Sequence, residues 1–203
     1  MTIFRTCLRI LGVAALALII ARPGTSGAAS DLARVEAYLD GLDQFRAEFT
    51  QYAPGGQVSR GKLYMKRPDS LRLEYAPPET LLVVGDDGWL TLYDRELEQA
   101  DRIQTRDTPA GILLRDRIDF SDDVTLRRLS REGGLLRVTL QNAEQPEAGF
   151  LTLIFEDDPL ILRQWTVRDP QGLETTVVLE SLDRGADLDP ALFKFDAPLW
   201  TDR

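Results

Sequence analysis

Phe45-Arg46-Ala47-Glu48-Phe49-Thr50 is where the hydrophobic period of this chain changes, and that change decides the fold. Phe45, Ala47 and Phe49 alternate with Arg46, Glu48 and Thr50, the pattern of a strand with one wet face. Upstream the spacing is different. From Asp31 the apolar residues fall at Leu32, Val35, Leu39, Leu42 and Phe45, steps of three or four that line one face of a helix. Gly41 weakens that helix near its end.

Downstream, turn signals recur at Pro54-Gly55-Gly56, Pro68-Asp69, Pro77-Pro78, Asp86-Asp87-Gly88 and Asp94-Arg95. They resume at Gly133-Gly134, Pro146 to Gly149, Asp157-Asp158-Pro159 and Asp169-Pro170-Gln171-Gly172. Alternating runs lie among them: Leu71/Leu73/Tyr75, Leu136/Val138/Leu140, Leu151/Leu153/Phe155 and Trp165/Val167. The gap in this meander carries a helix start, with Thr108 as N-cap and Pro109 at the first helical position, before the apolar Ala110 to Leu114. The expected fold is mainly β with a helical lid (α+β): an incomplete, half-open antiparallel barrel of about ten or eleven strands, covered by short helices.

The first thirty residues read as a targeting segment rather than as structure. Arg5 and Arg9 precede an uncharged run from Ile10 to Ile20, and Gly27-Ala28-Ala29 offers the small residues a signal peptidase needs. The run is short of the roughly 20 apolar residues that span a bilayer. Residues 1–29 are expected to be a cleavable signal peptide, and 30–203 a single domain on the periplasmic or secreted side. Cys7 precedes the apolar run, whereas a lipidated cysteine would end it. Cleavage after Ala29 therefore leaves a chain with no cysteine and no disulfide.

Composition narrows the chemistry. The 203 residues contain no histidine and one cysteine, which excludes a His base, a His-ligated metal and a Cys pair. With 33 acids against 24 bases the net charge is −9, and loss of Arg5, Arg9 and Arg22 with the signal lowers it to −12. No nucleic-acid partner is expected of so acidic a chain. The pairs Asp86/Asp87, Asp122/Asp123 and Asp157/Asp158 suggest two-carboxylate catalysis, but turn chemistry is the better account of acids placed beside Gly or Pro. The serines have no Ser-x-x-Lys partner, and no Gly-rich phosphate loop is present. No catalytic residue, metal or cofactor is expected.

Gly61-Lys62-Leu63-Tyr64-Met65-Lys66-Arg67-Pro68 is more pointed. Parity puts Arg67 on the same face as Leu63 and Met65. Two readings follow: a guanidinium facing an apolar interior, which must find partners, or a strand end at Pro68 from which Arg67 escapes to solvent at the rim.

Together these segments resemble the LolA-type outer-membrane lipoprotein carriers of Gram-negative bacteria. The matching features are Phe45-x3-Phe49-Thr50-Gln51, Gly61-x-Leu63-x2-Lys66-Arg67-Pro68, Leu71-x-Leu73-x-Tyr75-x-x-Pro78, Val84-x3-Gly88, Tyr93-Asp94 and Gln99. Thr108-Pro109 with Leu113-Leu114, Asp169-x-Gln171-Gly172 and Leu192-Phe193-x-Phe195-x-x-Pro198 complete the series.

The resemblance implies a half-barrel closed by a helical lid, with Arg67 as a latch bonded to helix backbone around Leu39 and Ile112 to Leu113. It also implies an acyl-chain cavity on the concave face, formed by Phe49, Leu63, Met65, Leu71, Leu73, Tyr75, Leu153 and Phe155, under lid residues Leu39, Leu42, Ile112 and Leu113. The implied function is a periplasmic, monomeric, non-enzymatic carrier that shelters lipoprotein acyl chains and shuttles them from inner to outer membrane. Its implied partners are acylated lipoproteins, an inner-membrane ABC-type lipoprotein-release complex and an outer-membrane lipoprotein acceptor. The alternative is a binding or sensor protein for other lipids or glycolipids on the same scaffold.

Overall fold

The change of period at Phe45 is a change of element. In a computed structural model, which describes residues 25–120 and 123–195, helix α1 (Thr25–Asp40) leads directly into strand β1 (Gln44–Tyr52). Most of the expected signal segment with Cys7, together with Asp122 and Pro198, lies outside the described residues. The meander continues as β2 (Val58–Lys66), β3 (Ser70–Tyr75), β4 (Leu81–Asp86), β5 (Trp89–Asp94) and β6 (Gln99–Gln104). Two short 3-10 helices follow, η1 (Thr105–Asp107) and η2 (Pro109–Leu114). Then come β7 (Val124–Glu132), β8 (Leu135–Asn142), η3 (Pro146–Ala148), β9 (Phe150–Asp157), β10 (Leu160–Arg168), β11 (Glu174–Asp183) and η4 (Pro190–Phe193).

All eleven strands form one antiparallel sheet in the order β6-β5-β4-β3-β2-β1-β11-β10-β9-β8-β7. The two edges, β6 and β7, do not pair with each other, so the barrel is half-open. Alternation sorts the side chains as period two demands. Phe45, Phe49, Leu63, Leu136, Val138, Leu140, Leu151, Leu153 and Phe155 are each at most 1% exposed and form the inward core. Val35 and Leu39 of α1, with Ile112 and Leu114 of η2, join that core from the open side.

Two local expectations are corrected. Helix α1 already includes Thr25, six residues before Asp31, Ala28 and Ala29 being strong helix formers themselves. The short central helix is of the 3-10 kind. Thr108 Oγ1 accepts from the Ala110 N–H at 3.2 Å as an N-cap should, but six residues that include Pro109 and Gly111 are too few for stable α-helix. Gly111 is pressed against the Thr105 carbonyl, where a Cβ would collide. Finally, Asp157 does more than shape a turn, since Arg34 and Arg131 both bind it.

Strand β4 departs from alternation: Leu82, Val83 and Val84 are all buried. Its second face is covered by the C-terminal segment, where Ala186, Leu188 and Phe193 cluster with Tyr64 and Leu192. Arg72 ties this segment down by donating to the Leu192 carbonyl at 3.0 Å.

One inward position has no side chain. Gly61 pairs with Phe49 on one side and Tyr75 on the other, and the two rings meet edge-to-face above it at 5.3 Å. A Cβ at Gly61 would collide with the Glu74 carbonyl and stand 2.9 Å from the Phe49 ring. Gly→Ala in a strand ordinarily stabilises slightly. Here Gly61→Ala is expected to destabilise by about 1–3 kcal/mol, the usual effect of overpacking. A urea midpoint equal to that of the parent chain would contradict this packing.

Candidate functional site

The apolar rows of the sheet end in polar residues where the cover begins. The β2 row runs Leu63, Met65 and then Arg67, just past the strand end. Arg67 turns inward. Nη2 donates to the Leu39 carbonyl in the last turn of α1, and Nη1 donates to the Arg115 carbonyl at 3.3 Å. Arg115 is the C-cap of η2, so one side chain joins the two cover elements. Burial pushes the guanidinium below the usual arginine range, while the charges of Asp43, Asp40 and Asp116 oppose that shift. Its Nε is buried without a partner. Arg67 is therefore half-buried and spends two of its donors on backbone carbonyls.

Between η2 and the inward face lies an apolar cavity of about 210 Å³. Met65, Leu71 and Leu73 form one wall, Trp165, Val167, Thr175 and Val177 the other, and Ala110, Leu113 and Leu114 the cover. Gln51 also lines it and accepts from the Tyr75 hydroxyl at 2.8 Å. A second space of about 10 Å³ lies beneath α1, among Leu39, Leu42, Phe45, Met65, Arg67 and Trp165. That volume is a packing gap no larger than a single water needs.

Helix α1 is held along its length. Asp31 and Asp157 share Arg34 and Arg131 at 2.6–3.4 Å. Glu36 accepts from the Phe120 N–H at 3.1 Å, and the Tyr38 hydroxyl accepts from the Leu162 N–H at 2.9 Å, beside the bulge in β10. The Tyr38 ring also meets Phe155 edge-on at 5.4 Å.

Of the residues expected to form the cavity, Met65, Leu71 and Leu73 line it, and Leu113 covers it. Phe49, Leu63, Leu153 and Phe155 are brought into the adjoining core, at most 1% exposed, and Tyr75 joins them at 8%. Leu39 and Leu42 lie over the small gap beneath α1, and Ile112 is buried in the core. Sequence reasoning left out Gln51, Leu114, Trp165, Val167, Thr175 and Val177. Trp165 and Val167 were already on an alternating run, but strand parity alone does not say where along a strand the cover lifts.

Residues 40–196 match the family described as outer membrane lipoprotein carrier protein LolA. The outer-membrane lipoprotein carrier protein of Chromobacterium violaceum is 28% identical over 200 residues, covering 95% of this chain and 94% of its own. That of Alkalilimnicola ehrlichii is 29% identical over 185 residues, covering 85% and 81%. The crystal structure of a LolA superfamily protein from Nitrosomonas europaea superposes with a TM-score of 0.48 at 11% identity, covering 80% of this chain and 97% of that one.

Burial pushes the Tyr75 hydroxyl up to about 12, with Gln51 lowering it and Glu79 raising it further. The folded state therefore holds the proton more tightly than the unfolded chain, whose tyrosine titrates near 10. The stability linked to Tyr75 is complete below about pH 10 and is lost as pH rises from there to about 12. Unfolding midpoints measured from pH 9 to 12 should fall more steeply for the parent chain than for Tyr75→Phe. Parallel curves would contradict this burial.

Proposed function

The chain belongs to the outer membrane lipoprotein carrier family, and we propose that it is a periplasmic carrier which shelters lipoprotein acyl chains beneath η2 and shuttles them from inner to outer membrane. The observation that carries this reading is the apolar cavity of about 210 Å³ beneath η2, a cover whose C-cap, Arg115, is joined to α1 by Arg67. Each methylene exposed to water costs about 0.8 kcal/mol, so acyl chains in transit require such a shelter. The cavity is smaller than the roughly 300–1,000 Å³ of ordinary ligand sites. Loading therefore requires η2 to move, and Arg67 is the latch that resists it. A charge-assisted hydrogen bond contributes about 1.5–3 kcal/mol, enough to hold the cover shut and little enough for acyl chains to outcompete.

The chemistry of transfer is binding and release, with no catalytic step. Removal of residues 1–29 leaves Asp31 in the first turn of α1, where a negative charge suits the helix dipole and still meets Arg131. The mature charge of −12 repels anionic lipid surfaces, which favours handover through proteins. In this reading the donor is an inner-membrane ABC-type release complex and the recipient an outer-membrane lipoprotein acceptor. The carrier itself is a monomer.

Native mass spectrometry of protein purified from periplasm tests the cargo. An acylated lipoprotein is the expected bound mass, whereas free lipid or glycolipid alone would replace lipoprotein transport with lipid binding. The latch is tested separately. Arg67→Leu should take up acylated lipoprotein but pass it to acceptor membranes at least about fivefold more slowly, because the closed empty state that drives release is weakened. Transfer at the parental rate would remove Arg67 from that role.

A further inference from the structure

Asn142 is the last residue of β8 and follows Leu136, Val138 and Leu140 on the inward face. It is 3% exposed, a primary amide where the row would continue with an aliphatic side chain. Its Oδ1 accepts from Arg115 Nη2 at 3.1 Å and from the Glu144 N–H at 3.0 Å, while its Nδ2 donates to the Arg106 carbonyl at 3.3 Å. Arg106 belongs to η1 and Arg115 caps η2, so one side chain grips both ends of the segment 105–115. The Arg115 carbonyl is also the one that Arg67 reaches.

We propose that Asn142 is a second latch on the cover, a positioning residue that ties η1 and η2 to β8 as Arg67 ties η2 to β2 and α1. This rests on the carrier reading above. Strands β2 and β8 lie in opposite arms of the sheet, on either side of the central β1–β11 pair. With both clasps formed, segment 105–115 is a strap across the open side of the half-barrel. With one released it stays hinged to the other arm, and uncovering the cavity requires both to give way together with the Asp69 N–H bond to the Leu114 carbonyl.

The surroundings of Asn142 suit a clasp that opens. On the side of η2 away from the acyl cavity is a polar pocket of about 380 Å³, lined by Asn142, Arg115, Arg106, Gln104 and Asp69 among others. The amide and the two segment ends can be taken over by water from this pocket, so release leaves no polar group stranded in apolar surroundings. Arg115 also pairs with Asp123 at 3.4 Å through its other terminal nitrogen, a partner that does not depend on Asn142. The clasp is therefore reversible, as a carrier that loads and unloads needs.

The mature chain has no cysteine, which makes the cover directly readable. Leu113 is 5% exposed and lines the cavity, whereas Leu151 is 0% exposed in β9 and lies outside the cavity lining. Leu113→Cys and Leu151→Cys, each in the full chain with Cys7 replaced by Ser, are labelled with a maleimide at pH 7. Asn142→Ala should speed labelling at position 113 by about tenfold, the equivalent of roughly 1.4 kcal/mol. Labelling at position 151 should change far less.

Arg67→Leu should speed position 113 independently, and the double variant should exceed either single one. Equal acceleration at 113 and 151 would make Asn142 a general stabiliser and overturn the proposal. Acceleration by Arg67→Leu but not by Asn142→Ala would overturn it while leaving the moving cover intact. Acceleration by neither would remove the moving cover, and with it the loading route of the carrier reading.

Discussion

An eleven-stranded sheet that curls without closing has an inner face that the sheet itself cannot cover. In this protein that face is built of leucine, valine and phenylalanine rows, each large side chain gaining about 1.5–3 kcal/mol when removed from water. Everything else in the fold answers to that constraint. Helix α1 and the short η2 sit on the open side of the half-barrel because its apolar inner face buries their own apolar side chains. The outer face is treated differently: it is charged along most strands, and among the described residues the C-terminal segment packs on it across β2 to β5.

The two cover elements are not equivalent. Helix α1 is fastened by a four-charge cluster, by Glu36 on the Phe120 N–H and by the Tyr38 hydroxyl on the Leu162 N–H. The arginines of that cluster are partly exposed, so no single pair contributes much. Spread along the helix, however, these contacts mean that α1 cannot tilt without breaking several at once. The η2 cover is six residues of 3-10 helix, held by Arg67, by Asn142 and by the Asp69 N–H on the Leu114 carbonyl at 2.9 Å. In the proposed carrier, motion that admits cargo therefore belongs to η1 and η2, with α1 as the fixed side of the frame.

How far this was readable from sequence follows from the same physics. The half-barrel was open to reading because period two and Gly/Pro turns are local signals, and they hold wherever one face is wet. They failed at Leu82 to Val84, where a segment distant in sequence buries the second face. Arg67 stood out as a charge closing an apolar row, in a Lys-Arg-Pro setting that resembles a known family. Asn142 closes the β8 row in the same way, but it lies beyond the alternating Leu136/Val138/Leu140 run, and a neutral amide raises no comparable alarm. The cavity walls at Trp165, Val167 and Val177 were hidden for another reason. Alternation assigns a face, but only the placement of η2 decides which part of that face is packed and which part is left hollow.

That hollow explains why the cover is weak where α1 is strong. A longer, better-packed helix across Met65, Leu73 and Val177 would bury the cavity walls as core and leave nothing for a ligand to displace. Pro109, Gly111 and the brevity of η2 keep its intrinsic stability low, so its closed position rests on burial of Ile112, Leu113 and Leu114 and on bonds reaching it from the sheet. Those bonds end on backbone carbonyls and on one arginine, groups that water can satisfy as well as the protein can. Opening therefore exchanges partners rather than stranding them. Its main cost is the apolar surface of the cavity, which is the surface an acyl chain would cover again.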